Sequence, residues 1–246
     1  MAQWTAGDIP DLSGRTAVVT GANSGVGFEV AMELAAHGAH VILACRNPDK
    51  GAAALARVRA RGSAELRSLD LADLSSVRTF AAGVSAPLDL RVNNAGVMAI
   101  PRRETVDGFE MQFATNHLGH FALTGLLLPE LTSRRGARVV TVSSPVARSG
   151  NINLDDLHGT RHYRRWGAYS QSKLANQLFA FELDRRARLA GLDLASVAAH
   201  PGYAATNLST VFAGHNPLLR IGVLIADHTV AQSAAAGALP ILFAAT

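Results

Sequence analysis

A chain of 246 residues with 48% hydrophobic content has enough apolar material for a sizeable core, in one large α/β domain or two small ones. The formal net charge is only +4 and the arginines are spread in short doublets such as Arg102-Arg103 and Arg164-Arg165, which excludes the clustered basic patch of a nucleic-acid surface. The lone Cys45 excludes an intrachain disulfide, no apolar run approaches the roughly 20 residues of a membrane span, and the first residues lack a basic region followed by an apolar one; a cytoplasmic protein is expected.

In chain order, Arg15–Thr20 is a short apolar run that ends at a glycine turn, as a buried parallel strand does. Val26–His37 has helical spacing and stops at Gly38. His40–Cys45 is the second strand, Pro48–Arg61 a helix ended by Gly62, and Glu65–Leu69 the third strand. Asp73–Val84 follows as a helix with Asp73 as its N-cap. Leu88–Asn93 is the fourth strand, closed by the turn Asn94-Ala95-Gly96. Glu104–Arg134 reads as one long helical stretch kinked at Pro129. Ala137–Ser143 is the fifth strand, Trp166–Ala190 a helix, Leu194–Ala199 the sixth strand and Val230–Ala245 a final helix. No repeat, low-complexity run or linker divides the chain. Strands alternating with helices from end to end call for a single domain over residues 1–246, a Rossmann-type doubly wound parallel sheet with helices on both faces.

Two features carry chemistry. Tyr169 and Lys173 stand four apart in a helix, so phenol and ammonium share one face. A neighbouring ammonium favours the phenolate and lowers a pKa that starts near 10, and a phenol so tuned can give a proton to a carbonyl oxygen or take one from an alcohol. Taken alone, the pair also fits an ordinary amphipathic helix with an exposed lysine. The second feature is the turn Thr20-Gly21-Ala22-Asn23-Ser24-Gly25-Val26-Gly27, set between a strand and a helix, where a dinucleotide pyrophosphate binds. After the second strand an NAD-preferring enzyme places an acid for the ribose 2′-OH; here the chain reads Ala44-Cys45-Arg46-Asn47. With no acid and a guanidinium in place, NADP(H) is expected rather than NAD(H).

These motifs, with Asp70-Leu71, Asn93-Asn94-Ala95-Gly96, Asn116, Ser143-Ser144 and Pro201-Gly202, resemble the short-chain dehydrogenases/reductases over nearly the whole chain and in order. Ala44-Cys45-Arg46-Asn47, Asn116-His117-Leu118-Gly119-His120-Phe121 and Ser172-Lys173-Leu174-Ala175-Asn176 are most similar to the retinol-dehydrogenase-like branch, which includes protochlorophyllide reductases. The resemblance implies an oxidoreductase that interconverts a carbonyl and an alcohol by hydride transfer. It implies Tyr169 as proton donor, Lys173 as its tuner and a ribose ligand, Ser144 as holder of the substrate oxygen, and Asn116 as anchor of a water leading from Lys173 to solvent. For the cofactor it implies Gly21, Asn23, Ser24, Gly25, Val26 and Gly27 at the phosphates, Asp70 and Leu71 at the adenine, Asn93, Asn94, Ala95 and Gly96 along the cleft, and Pro201, Gly202 and Thr206 near the carboxamide. A homo-oligomer is common in the family.

Two departures stand out. Ser144 and Tyr169 are 25 residues apart, wider than in the simplest members, and the inserted stretch Asn151–Trp166 resembles the longer loop of the retinol-dehydrogenase-like branch. Family members also continue into one more edge strand, whereas this sequence supplies six. Asn207–Asp227 is mostly apolar and reads either as a lid over a lipophilic substrate or as a buried helix face. His117/His120 and His158/His162 have the spacing of ligand pairs but no third partner nearby, so no metal is expected. Arg91 sits where a strand calls for an apolar residue. A second class, a dinucleotide-binding sensor or scaffold without chemistry, is set against the retention of Ser144, Tyr169, Lys173 and Asn116.

Overall fold

The computed structural model describes residues 4–202 and 232–246. Six parallel strands, β1 (Thr16–Thr20), β2 (His40–Cys45), β3 (Ala64–Ser68), β4 (Leu90–Asn93), β5 (Ala137–Val142) and β6 (Leu194–Ala199), form one sheet in the order β3-β2-β1-β4-β5-β6. The order reverses between β1 and β4, where open α/β sheets bind ligands beyond the carboxyl ends of their strands.

The apolar runs are continuous because both faces are covered. From β1, Ala17 and Val19 enter one core layer with Val41, Leu43, Leu90 and Val92, while Val18 enters the other. The first layer is closed by α1 (Gly25–Ala36), α2 (Pro48–Arg59) and a C-terminal helix, Ala234–Ala245. The second is closed by α3 (Leu74–Ala82), by Leu123, Leu127 and Leu131, and by the long helix Arg165–Leu189. Local signals place the helix starts. Asn47 Oδ1 accepts from Lys50 N at 2.8 Å ahead of Pro48, and Asp73 Oδ1 accepts from Ser75 N at 2.8 Å. Cys45 is a core residue whose thiol burial pushes up to about 11.

The long helix expected over 104–134 is broken up. Residues 104–110 fold back on themselves through a bridge between Glu104 and Glu110. There follow α4 (Met111–Phe113), a π-turn (Ala114–Leu118), α5 (Gly119–Leu126) and α6 (Leu128–Thr132). Pro129 does not kink a helix; it sits in the first turn of α6, where its fixed φ and missing N–H are no handicap. The π-turn widens the chain at Asn116, as such turns often do at functional sites. The helix bearing Tyr169 and Lys173 is α7 (Arg165–Leu189), and the last, α8 (Ala234–Ala245), is capped by Ser233 Oγ, which accepts from Ala236 N at 3.1 Å.

Arg91 is the misfit that its position suggested. It lies on β4 opposite Val18 and Val139, is fully buried, and among the described residues its three side-chain nitrogens have no hydrogen-bond partner.

Candidate active site

A cleft of about 330 Å³ runs along the carboxyl ends of β1, β4 and β5. The glycine turn forms one end of it. Gly21 and Gly25 have φ of +65° and +57°, the left-handed region that glycine adopts freely. A Cβ at Gly27 would press into the Asn94 amide and come within 2.7 Å of the Gly21 carbonyl, so the turn closes only around hydrogen. Ser24 provides no side-chain cap for α1, which leaves the N–H groups of that first turn to an anion. The residues present therefore fit a dinucleotide pyrophosphate.

The floor is tied together by Thr20. Its Oγ1 accepts from the N–H groups of Asn94 and Ala95 at 2.9 and 3.1 Å, while Asn94 Nδ2 donates to the Thr20 carbonyl at 2.8 Å. Behind it, His120 Nδ1 lies 3.0 Å from the Asn116 carbonyl and Nε2 lies 2.9 Å from Thr20 Oγ1. A carbonyl only accepts, so Nδ1 carries the proton, and in the neutral ring Nε2 accepts from the threonine hydroxyl. Burial first, and then the Arg91 charge, push His120 down to about 3, so the ring stays neutral.

At the other end stand Ser144, Tyr169 and Lys173. Tyr169 and Lys173 are 6% and 4% exposed, which removes the alternative of a lysine on a solvated helix face. Asn116 braces them from behind: its Oδ1 accepts from Val97 N at 2.8 Å, and its Nδ2 donates to the Val97 carbonyl at 2.9 Å and to Ser172 Oγ at 3.0 Å. The Ser172 hydroxyl in turn donates to the Tyr169 carbonyl at 2.7 Å. A Cβ at Gly96 would sit 2.9 Å from Asn116 Oδ1 and 3.8 Å from Lys173 Nζ, so this approach also needs glycine.

The expected lowering of the Tyr169 pKa by Lys173 is not what the geometry gives. Burial raises the phenol to about 12, with a hydrogen bond from Ser144 working against it. Lys173 Nζ instead donates to the Val142 carbonyl at 3.1 Å and lies 5.7 Å from the Tyr169 ring centre. Burial lowers the ammonium itself to about 8.

Of the residues expected at the cofactor, Gly21, Asn23, Ser24, Gly25, Val26, Gly27, Arg46, Asp70, Leu71, Asn94, Ala95, Gly96, Pro201 and Gly202 all line the cleft. Asn93 does not. It is buried beneath the floor, where Nδ2 donates to the hydroxyls of Thr124 and Thr141 at 3.3 and 3.2 Å. Thr206 and the segment 207–227 lie outside the described residues. Arg46 is 69% exposed and lies 4.0 Å from the Asp70 carboxylate at the cleft's edge. Sequence reasoning missed Val97, Met98, Thr115, Val142 and Ser143, which also line the cleft and adjoin its motifs in the chain.

The inserted stretch after β5 is packed down. Tyr163 accepts from Gln112 Nε2 at 2.7 Å, and its single hydroxyl proton serves the Glu110 carboxylate at 2.9 Å, with the Ile100 carbonyl 3.1 Å away. The four histidines of the two suspected ligand pairs are spoken for. His117 bonds Asn176, His120 spans Asn116 and Thr20, His158 accepts from Glu110 N and His162 accepts from Arg164 Nε. Among the described residues no three His, Cys, Asp or Glu side chains converge.

A parallel sheet in this order, with a glycine cradle at its switch point and Ser144, Tyr169 and Lys173 in the same cleft, defines a nucleotide-binding fold of the Rossmann class. A family model described as short chain dehydrogenase matches residues 15–215. Human retinol dehydrogenase 13 is 45% identical over 214 residues, covering 83% of this chain and 64% of the relative's length. The chain thus spans about 64% of that relative. A solved structure of an uncharacterized protein from Mycobacterium paratuberculosis superposes with a TM-score of 0.83 at 52% identity, covering 100% of this chain and 81% of its own. A 3-oxoacyl (acyl-carrier-protein) reductase from Agrobacterium tumefaciens, with NADP bound, superposes with a TM-score of 0.74 at 26% identity, covering 97% and 90%. The chain belongs to the short-chain dehydrogenase/reductase family, in its retinol-dehydrogenase-like branch.

Proposed function

We propose that this protein interconverts a carbonyl and an alcohol using NADP(H), with Tyr169 as the proton donor and acceptor. The observation that carries the reading is that the glycine cradle, Ser144 and the buried Tyr169–Lys173 pair open into one cleft. Gly21 to Gly27 would hold the pyrophosphate, Asp70 and Leu71 the adenine end, and Lys173 a ribose hydroxyl. The nicotinamide supplies or takes up the hydride when bound. Ser144 then holds the substrate oxygen and stabilises the charge that develops on it, while Tyr169 hands that oxygen its proton. In the reverse direction the phenol must first release its proton to solvent, a step that burial opposes and the Lys173 ammonium favours.

Preference for NADP(H) is supported by Arg46 at the end of β2, exposed and able to swing from Asp70 to a 2′-phosphate, with no acid in its place. Its tie to Asp70 is long and solvated, so breaking it costs little. A lipophilic aldehyde or ketone is supported by the likeness to retinol dehydrogenases and by the apolar sequence of 207–227.

The test is NADPH oxidation at 340 nm against a panel of aldehydes and ketones, retinaldehyde among them, with Tyr169→Phe beside the wild type. Turnover that falls by about a hundredfold or more in the variant, with NADPH binding retained, is the expected outcome. Tight NADPH binding with no turnover on any member would point to a sensor.

A further inference from the structure

Val142 ends β5 one residue past the β4 ladder, which closes with Asn93 opposite Thr141. Its carbonyl oxygen carries two side-chain donors from α7, Lys173 Nζ at 3.1 Å and Asn176 Nδ2 at 3.1 Å. Sharing one acceptor, the two nitrogens lie within about 6 Å of each other, close enough for a charge at one to act on the other. Residues three apart on a helix share a face, which is why both side chains reach the same oxygen.

Asn176 is 1% exposed and held at its other end as well. Its Oδ1 lies 3.2 Å from His117 Nδ1. A flipped amide would present an oxygen to the Val142 carbonyl, so Nδ2 faces that carbonyl, and the amide oxygen, which only accepts, takes its hydrogen bond from His117. His117 is itself boxed by the rings of Phe113, Phe121 and Phe179 at 5.2, 6.1 and 6.2 Å. The orientation therefore passes from the aromatic box through His117 and Asn176 to the carbonyl on which Lys173 rests.

We propose that Asn176, oriented by His117, is a positioning residue for Lys173: it fixes the carbonyl that holds the ammonium, and with it the place of that ammonium beside Tyr169. The inference rests on the reading of Lys173 as the partner of Tyr169. The titratable groups facing Lys173 are Tyr169 on α7 itself and His120 on α5; His117 on the π-turn reaches it through Asn176, and Arg91 on β4 through His120. None of them is a carboxylate. Among the described residues the Val142 carbonyl is the acceptor given to this ammonium, so its placement matters more than it would beside a carboxylate.

Lys50 and Lys173 are the only lysines of the chain. Protein labelled with [ε-13C]lysine in a Lys50→Arg background therefore gives one lysine side-chain signal, which titrates with Lys173 and needs neither substrate nor turnover. In Asn176→Leu the signal is expected to shift and its midpoint to move by about half a unit or more. In Asn176→Asp, which sets a carboxylate beside the ammonium, the midpoint is expected to rise by about one unit or more. His117→Phe keeps the ring and loses the donor, and should move the midpoint the same way as Asn176→Leu by a smaller amount. A Lys173 signal and midpoint unchanged in the folded variants overturns the proposal and leaves Asn176 a packing residue. If the leucine variant does not fold, the aspartate and phenylalanine variants decide. A midpoint that moves while Tyr169→Phe keeps near-normal turnover would sustain the coupling and remove the catalytic reading instead.

Discussion

Arg91 puts five N–H donors into a layer whose strand neighbours are Val18 and Val139, and burial pushes its guanidinium down to about 9. A buried charge without a partner costs several kcal/mol, more than the side chain's apolar stem returns. Arg91→Leu is therefore expected to stabilise the fold by about 2 kcal/mol or more, which for a domain of this size raises Tm by roughly 4–8 °C; an unchanged or lower Tm by calorimetry would refute this. Lys173 gives a second expectation. Its ammonium, lowered to about 8 by burial, is charged below that pH and neutral above it, whereas the Tyr169 phenol keeps its proton to about 12. The alkaline fall of kcat/KM for NADPH should thus begin near pH 8 and belong to Lys173, because that ratio reports the free enzyme. Although Ser144 stood out only through the family resemblance, Tyr169 and Lys173 were legible as a pair at this scale because each carries its chemistry in its side chain. Asn176, His117 and Thr20 were not, since what matters about them is which carbonyl or hydroxyl they meet across the fold.

Among the elements, the short ones diverge most from the sequence. The strands and α1 to α3 lie within about two residues of where periodicity and caps put them, the usual margin for helix and strand ends. The stretch 104–134 failed because helical spacing alone does not reveal a hairpin-like turn at 104–110 or a π-turn at 114–118. Those features depend on partners: the Glu110 carboxylate accepts from Gln112 N and Phe113 N at 2.9 and 2.7 Å, and Asn116 is held by Val97 on the chain that leaves β4. The end of β2 bears a testable expectation. Arg46→Ala should raise KM for NADPH by about tenfold, the worth of a charge-assisted contact to phosphate, while leaving KM for NADH nearly unchanged; equal effects on the two cofactors would take Arg46 out of the selectivity argument. Gly27→Ala, by contrast, should weaken both cofactors alike, since its Cβ would press on Asn94 and the Gly21 carbonyl whichever dinucleotide is bound.

For the whole molecule, His120 ties acid stability to the floor of the cleft. Its folded pKa of about 3 lies below the ordinary 6.5, so the unfolded chain binds the extra proton. The associated stability is fully present above pH 6.5 and is lost as pH falls from there towards 3. The urea midpoint should drop between pH 7 and pH 5, and less steeply in His120→Gln; parallel slopes would show that other groups govern the loss. The doubly wound parallel sheet was legible because alternating strands and helices admit few topologies, whereas the strand order with its switch between β1 and β4 came only with the structure. What the chain did not disclose is that the stretch after β5 belongs to the body of the protein. Through Tyr163 it holds Gln112 and Glu110, through Gln171 it is fastened at Asn153 and Leu157, and Arg102 reaches it at the His158 carbonyl. For protein engineering this means that 151–166 is not an exchangeable cassette. A chimera carrying a shorter counterpart from a simpler relative would strip the buried Gln112 Nε2 of its partners and the Glu110 carboxylate of the Tyr163 hydroxyl, and only a graft that rewrites those two positions along with the loop should fold as well as its parents.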